Sequence, residues 1–109
     1  MRENYREQLD DILADLVQMC QTVSGAVRTA TTALLEADLQ LAETVISEDQ
    51  AIDAKQREVE ARAFSLLARQ APVAGELRTV VTTLRMVTEL ERMGDLAAHV
   101  AKIARLRYP

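Results

Sequence analysis

The stretch "YREQLDDILADLVQMCQTVSGAVRTATTALLEA", residues 5–37, decides the fold. Tyr5, Leu9, Ile12, Leu16, Met19, Val23, Ala26, Ala30, Ala33 and Ala37 recur at alternating steps of four and three. That is the period of an apolar helical seam, not of a strand. A parallel column, Leu13, Cys20, Val27 and Leu34, repeats every seven residues beside it. Apolar columns of this width face two partner helices, as a bundle requires and a two-stranded coiled coil does not. Cys20 lies in this face and reads as a buried structural thiol. Gly25 falls outside the columns and weakens the helix only locally.

The same period continues on either side of two breaks. "EADLQ" interrupts the first helix, with Asp38 placed to cap the next one. In the second helix Val45, Ile52, Val59 and Leu66 form the central column. Its flanks are mixed: Ala42, Asp49, Gln56 and Ala63 on one side, Ile46, Asp53, Glu60 and Leu67 on the other. Asp49 and Asp53 therefore border the seam. "RQAPVAGEL" is the second break, where Pro72 suits only a first helical turn. Beyond it Leu77, Leu84, Glu91 and Ala98 share one column, with Val80, Val87, Gly94 and Ala101 beside them. The expected architecture is all-α, an up-down-up antiparallel three-helix bundle with helices at about 4–37, 39–69 and 73–107.

Composition agrees and narrows the function. The 109 residues suit one domain with one core, and 49% hydrophobic with only three Gly and two Pro favours helix throughout. A net charge of −4 and 3% aromatics argue against nucleic acid as a partner, by charge and by stacking. Lys102, Arg105 and Arg107 in "KIARLRY" read as complements to the negative end of a helix dipole. One cysteine cannot form an internal disulfide, no apolar window reaches a membrane span, and the charged N-terminus is no secretion signal. The expected location is the cytoplasm.

The chemistry concentrates in acidic residues. Glu91, Asp95 and His99 fall at four-residue intervals, on one helical stripe, and Asp49 and Asp53 repeat the spacing on the second helix. Asp53 lies 19 residues before Pro72 and Glu91 lies 19 after it, so antiparallel helices bring the two pairs to similar heights. Glu91 occupies a position where the pattern demands an apolar residue. It can pair with an arginine (Arg62, Arg78 and Arg85 are available), lie where the seam opens to water, or bind a metal with Asp95. Gly94, between the acids, removes a side chain where a backbone or a hydrated ion could come close. Four converging carboxylates need positive charge, and a hard divalent or trivalent cation supplies it, with iron, manganese, magnesium and zinc all compatible. His99 could add a nitrogen ligand. A di-iron oxidase would need Glu-x-x-His pairs, and Leu96 stands three residues before His99. No nucleophile or phosphate-loop motif is present, so no enzymatic activity is expected.

"ARQAPVAGELRTVVTTLRMVTELERMGDLAAHVAKIA", residues 68–104, resembles the signature region of the PhoU family, the phosphate-specific transport system accessory proteins. The resemblance extends into "EDQAIDAKQREVE" and covers essentially the whole chain. Its motif elements are Pro72, Ala74, Glu76, Leu77 and Arg78, then Glu91, Arg92, Met93, Gly94 and Asp95. The resemblance implies a helical bundle of the spectrin-repeat kind, with Glu91 and Asp95, and Asp49 and Asp53, as metal-binding acid pairs. It makes Arg78, Glu76 and Arg92 candidates for partner contact or structure. It further implies a non-enzymatic adaptor that represses the phosphate-starvation response. Its expected partners are a phosphate ABC transporter ATPase and a sensor histidine kinase, and it would meet the membrane only through them. Family members usually carry two bundles in tandem, so this chain corresponds to one, expected to be the N-terminal half. That leaves a flank which a second copy could cover as a homodimer. Glu76 replaces a more frequent Asp, and His99 a frequent Asn. The rival reading is a structural helical-bundle interaction module without metal.

Overall fold

A computed structural model describes residues 2–69 and 74–108 as three helices: α1 (Arg2–Glu36), α2 (Leu39–Arg69) and α3 (Ala74–Arg107). Each packs against both others, in a rod 58 Å long and about 17 Å across. The expected starts at Pro72 and Val73 lie outside the described residues. Helix α1 begins two residues earlier than expected and ends one earlier, for a local reason. Ala37 adopts a left-handed conformation with φ 53°, and the Asp38 N–H donates to Ala33 O at 2.9 Å. This is the usual way to close a helix C-terminus, generally built on glycine. The Asp38 carboxylate accepts from Leu41 N–H at 3.1 Å and caps α2. One residue thus ends one helix and starts the next.

The seam of α1 is buried as its pattern requires, from Tyr5 to Ala33. In α2 the buried column is Val45, Ile52, Val59 and Leu66, joined by Ala42 and Ala63, while Asp49 and Asp53 border it half-buried. Two expectations need correction. Cys20 is half-buried at the rim of the core, free, and not a fully buried thiol, because Val27 of its column is 40% exposed. In α3 the second buried column is Thr83, Leu90, Ala97 and Ala104, beside Val80, Val87, Gly94 and Ala101. Leu77 is 43% exposed and Glu91 half-buried. Glu91 therefore flanks the seam instead of replacing an apolar residue within it. Thr83 enters the core because its hydroxyl donates to Thr79 O at 2.8 Å, which satisfies it internally.

Polar contacts fix the register. Asp15 of α1 is bound by Arg62 and by Lys55, at 3.3 Å, both from α2. Burial alone would raise the Asp15 carboxyl, but hydrogen bonds from Arg62 and Lys55 and their charges hold it below its usual range. Arg107 donates to Leu34 O at 3.0 Å, so the end of α3 caps an orphan carbonyl of α1. Arg105 pairs with Glu43 at 3.8 Å across α2 and α3.

Two stability outcomes follow. Ala37→Gly should raise unfolding free energy by roughly 0.5–1 kcal/mol in urea titrations, since glycine tolerates the left-handed cap. Asp15→Ala should lower it by about 1–2 kcal/mol near neutral pH. That deficit should shrink as the pH falls through the range where the wild-type carboxylate takes up its proton, because a depressed carboxylate contributes only while ionised.

Candidate metal centre

Asp49 and Asp53 sit one turn apart on α2, on either side of Ile52, which is buried. Glu91 and Asp95 sit one turn apart on α3, on either side of Gly94. The two helices meet where Ile52 packs against that glycine. A Cβ on Gly94 would stand 3.3 Å from Ile52 Cδ1 and Cγ2 and 3.5 Å from Asp49 Oδ1. The missing side chain is what lets α2 come this close. Apolar packing of these seams then carries the flanking carboxylates into one groove.

Oxygen atoms of Asp49, Asp53 and Asp95 lie within 4.8 Å of one another, all three residues half-buried. Oxygens sharing one divalent cation are separated by up to about 4–5 Å, given cation–oxygen distances of about 2.0–2.6 Å. Asp49 Oδ1 and Asp53 Oδ1 are buried without a hydrogen-bond partner. Buried acceptors without donors are uncommon and mark where a proton or cation belongs. The donor set fits a hard metal ion: all oxygen, all acidic, on two rigid helices.

Proton affinity reports the same crowding. Burial, the close carboxyl of Asp95 and the charges of Asp95 and Asp53 push Asp49 up to about 6, with Lys102 pulling it back. Glu91 stands beside the trio. Hydrogen bonding to Asp95, then burial, then Asp53 push it up to about 7. A protonated Glu91 can share its proton with both aspartates.

The remaining candidates are dispersed. His99 is exposed, one turn beyond Asp95, and does not join the trio. Arg92 is exposed and pairs with Glu89 at 3.4 Å on its own helix. Arg78 is exposed at the α1–α3 side, near Leu13 and Met86, and Glu76 is half-buried in the first turn of α3. Among the described residues no arginine pairs with Glu91, and Arg62 serves Asp15 instead. Sequence reasoning gave Lys102 the wrong task. Only Arg105 and Arg107 occupy the last turn of α3, so Lys102 is no dipole complement. Its position seven residues after Asp95, in one heptad column, was the available signal.

The groove sets a pH dependence whose sign is opposite to that of ordinary ion-paired carboxylates. Asp49 and Glu91 bind protons more tightly folded than unfolded, so the metal-free protein loses stability as pH rises from their ordinary values, 3.8 and 4.5, toward about 6 and 7. Urea unfolding of metal-free protein should give a free energy lower by about 1–3 kcal/mol at about pH 8 than at about pH 5. Equal stability at both would mean that these carboxyls are not crowded in solution.

Comparison with known proteins bears on the identity of this groove. A profile of the PhoU domain matches residues 16–104. The phosphate-specific transport system accessory protein PhoU homolog 2 of Mycobacterium tuberculosis is 51% identical across the whole chain. PhoU homolog 1 of Mycobacterium leprae is 50% identical over the same span, and a PhoU homolog of Clostridium acetobutylicum 34% identical over 102 residues, 93% of the chain. The chain spans 51%, 49% and 47% of these three relatives, about half the length of each. No solved structure matches. With a three-helix bundle, the paired acids in place and the domain profile covering most of its length, the chain belongs to the PhoU family.

Proposed function

We propose that this chain is a phosphate-signalling adaptor, a negative regulator of the phosphate-starvation response that binds metal in its α2–α3 groove. The observation that carries the metal reading is the pair of buried, partnerless oxygens on Asp49 and Asp53, set against Asp95. Asp49, Asp53 and Asp95 would hold the ion, with Glu91 beside them and His99 at the outer edge. A bound cation supplies the positive charge that offsets their repulsion; it performs no reaction, and the protein is not an enzyme. The phosphate role rests on relatives named as phosphate-specific transport system accessory proteins. On that basis the partners are a phosphate ABC transporter ATPase and a sensor histidine kinase, met on the cytoplasmic side of the membrane. Among the described residues no helix is long and apolar enough to cross a membrane, in keeping with a peripheral role.

The groove also offers a contact surface. Phe64, Val81 and Leu84 line a depression on the same α2–α3 face, two turns before Glu91, with Phe64 59% and Val81 40% exposed. Arg85, Glu60 and Glu89 rim it. A partner helix could lay apolar residues there and reach the acidic groove, with Arg78, Glu76 and Arg92 as further candidate contacts. The chain acts as one bundle of a tandem pair, or pairs with a second copy.

The test combines metal content and regulation. Glu91→Ala with Asp95→Ala should abolish most of the manganese or iron retained by purified protein after dialysis, read by elemental analysis. In cells whose own regulator has been removed, the wild-type protein should silence a phosphate-starvation reporter in rich phosphate, and the double variant should not. Unchanged metal content removes the metal role and leaves the structural interaction module. A reporter indifferent to the wild-type protein removes the phosphate role.

A further inference from the structure

The acidic groove has a cation of its own nearby, held by the register of the helices. Arg105 pairs with Glu43, and Gly94 lies against Ile52. Between those fixed points Lys102 stands across from residues 44–46 of α2. That is three to five residues from Asp49, about 5–8 Å along the helix axis. Helical side chains lean toward the N-terminus of their own helix. For Lys102 that direction runs down α3 toward Asp95, and so toward Asp49. Lys102 also shares a heptad column with Asp95. Its ammonium group is exposed, and among the described residues it makes no ion pair. Arg62 and Lys55 are held by Asp15, Arg92 by Glu89 and Arg105 by Glu43. The electrostatic balance of Asp49 already feels Lys102 as its one opposing charge.

We propose that Lys102 is a tethered counter-ion of the acidic groove: it keeps its charge near Asp49, without a fixed ion pair, when no metal is bound and is driven further into solvent when a cation enters. A flexible ammonium on a long stem suits this task, since it holds charge near the groove without a fixed geometry. Its effect is to set a threshold. The ion has to displace a resident positive charge, so affinity is lower than the carboxylates alone would give. The empty groove is meanwhile less strained than four bare carboxylates would be. Lys102 is a positioning residue here and touches no ion itself.

The inference builds on the metal reading, and its test separates the two. Mn2+ titrations of wild type, Lys102→Gln and Lys102→Arg are followed by calorimetry at low and high salt. Lys102→Gln should bind roughly three- to tenfold more tightly at low salt, with the difference narrowing at high salt, as expected for charges several ångströms apart across water. Lys102→Arg, which keeps the charge, should match wild type. Equal or weaker Mn2+ binding by Lys102→Gln at low salt overturns the proposal. A second arm uses metal-free protein. Lys102→Gln should lower the thermal midpoint at about pH 8 in low salt, and much less in high salt, where the charge of Lys102 is screened. No loss at low salt overturns the counter-ion role. If wild type takes up no Mn2+, the metal reading falls and the metal-free arm alone decides for or against Lys102.

Discussion

Apolar packing forces like charges together in this bundle. Ile52 fills the gap left by Gly94; Asp53, Glu91 and Asp95 flank that contact because each directly follows a buried residue, and Asp49 because it shares the column of buried Ala42 and Ala63. Burying a single Ile, Val or Leu is worth about 1.5–3 kcal/mol, and each helix buries a column of such residues along its length. Repulsion among partly hydrated carboxylates, worth a few kcal/mol, cannot separate helices held this way. It can only be offset locally, by a proton, a cation or a side-chain ammonium. Every property of the groove, from the raised proton affinity of Glu91 to the orphaned oxygens, follows from that imbalance.

The groove lies where the core changes character. Toward the α2–α3 connection the interior is built of Tyr5, Leu9, Ile12, Leu16, Val59, Leu66, Val80 and Val87. Toward the α1–α2 connection it is almost all alanine: Ala26, Ala30, Ala33, Ala42, Ala97, Ala101 and Ala104. Small side chains fill a core at normal density only if the helices approach closely. They also bury less apolar area. The alanine end carries specific polar fastenings in compensation: the Asp38 cap, Arg107 on the Leu34 carbonyl and Arg105 on Glu43. The acids occupy the transition, near enough to the alanine end for close helices, and beside the last large residue of α2 that packs there.

Much of this was legible in the residue pattern, and the failures have identifiable physics. Helix α1 and α2 alternate large apolar and polar residues cleanly, so their buried columns could be read directly, as could the flanking places of Asp49 and Asp53. The equal counts from Asp53 and Glu91 to Pro72 predicted their shared height, because antiparallel helices with a short connection have little freedom to slide. Helix α3 was harder. Its leucines at 77 and 84 looked like core, whereas the true column runs through Thr83, a polar residue that hides its hydroxyl on its own backbone. Cys20 and Val27 share a column with Leu13, but that column sits at the rim, where composition does not separate half-buried from buried. His99 follows the acidic stripe in sequence yet drifts off it in space. A helix advances 400° in four residues, so each such step rotates the side chain by about 40° away from the groove.

The same drift explains why Lys102, unlike His99, shares a column with Asp95. Seven residues bring the helix back to within about 20° of its starting direction, so Asp95 and Lys102 face the same neighbour on α2. On the proposed reading, proton, lysine and metal ion would compete for one set of carboxylates, and each would respond to a different variable: acidity, salt and metal supply. An exposed groove whose charge depends on which competitor holds it presents a different surface to a docking partner in each state. Under the proposed adaptor role, a rigid bundle would need no change of shape to signal. A change in the net charge beside the Phe64–Val81–Leu84 depression would suffice, because desolvating an unneutralised carboxylate opposes binding and desolvating a neutralised one does not.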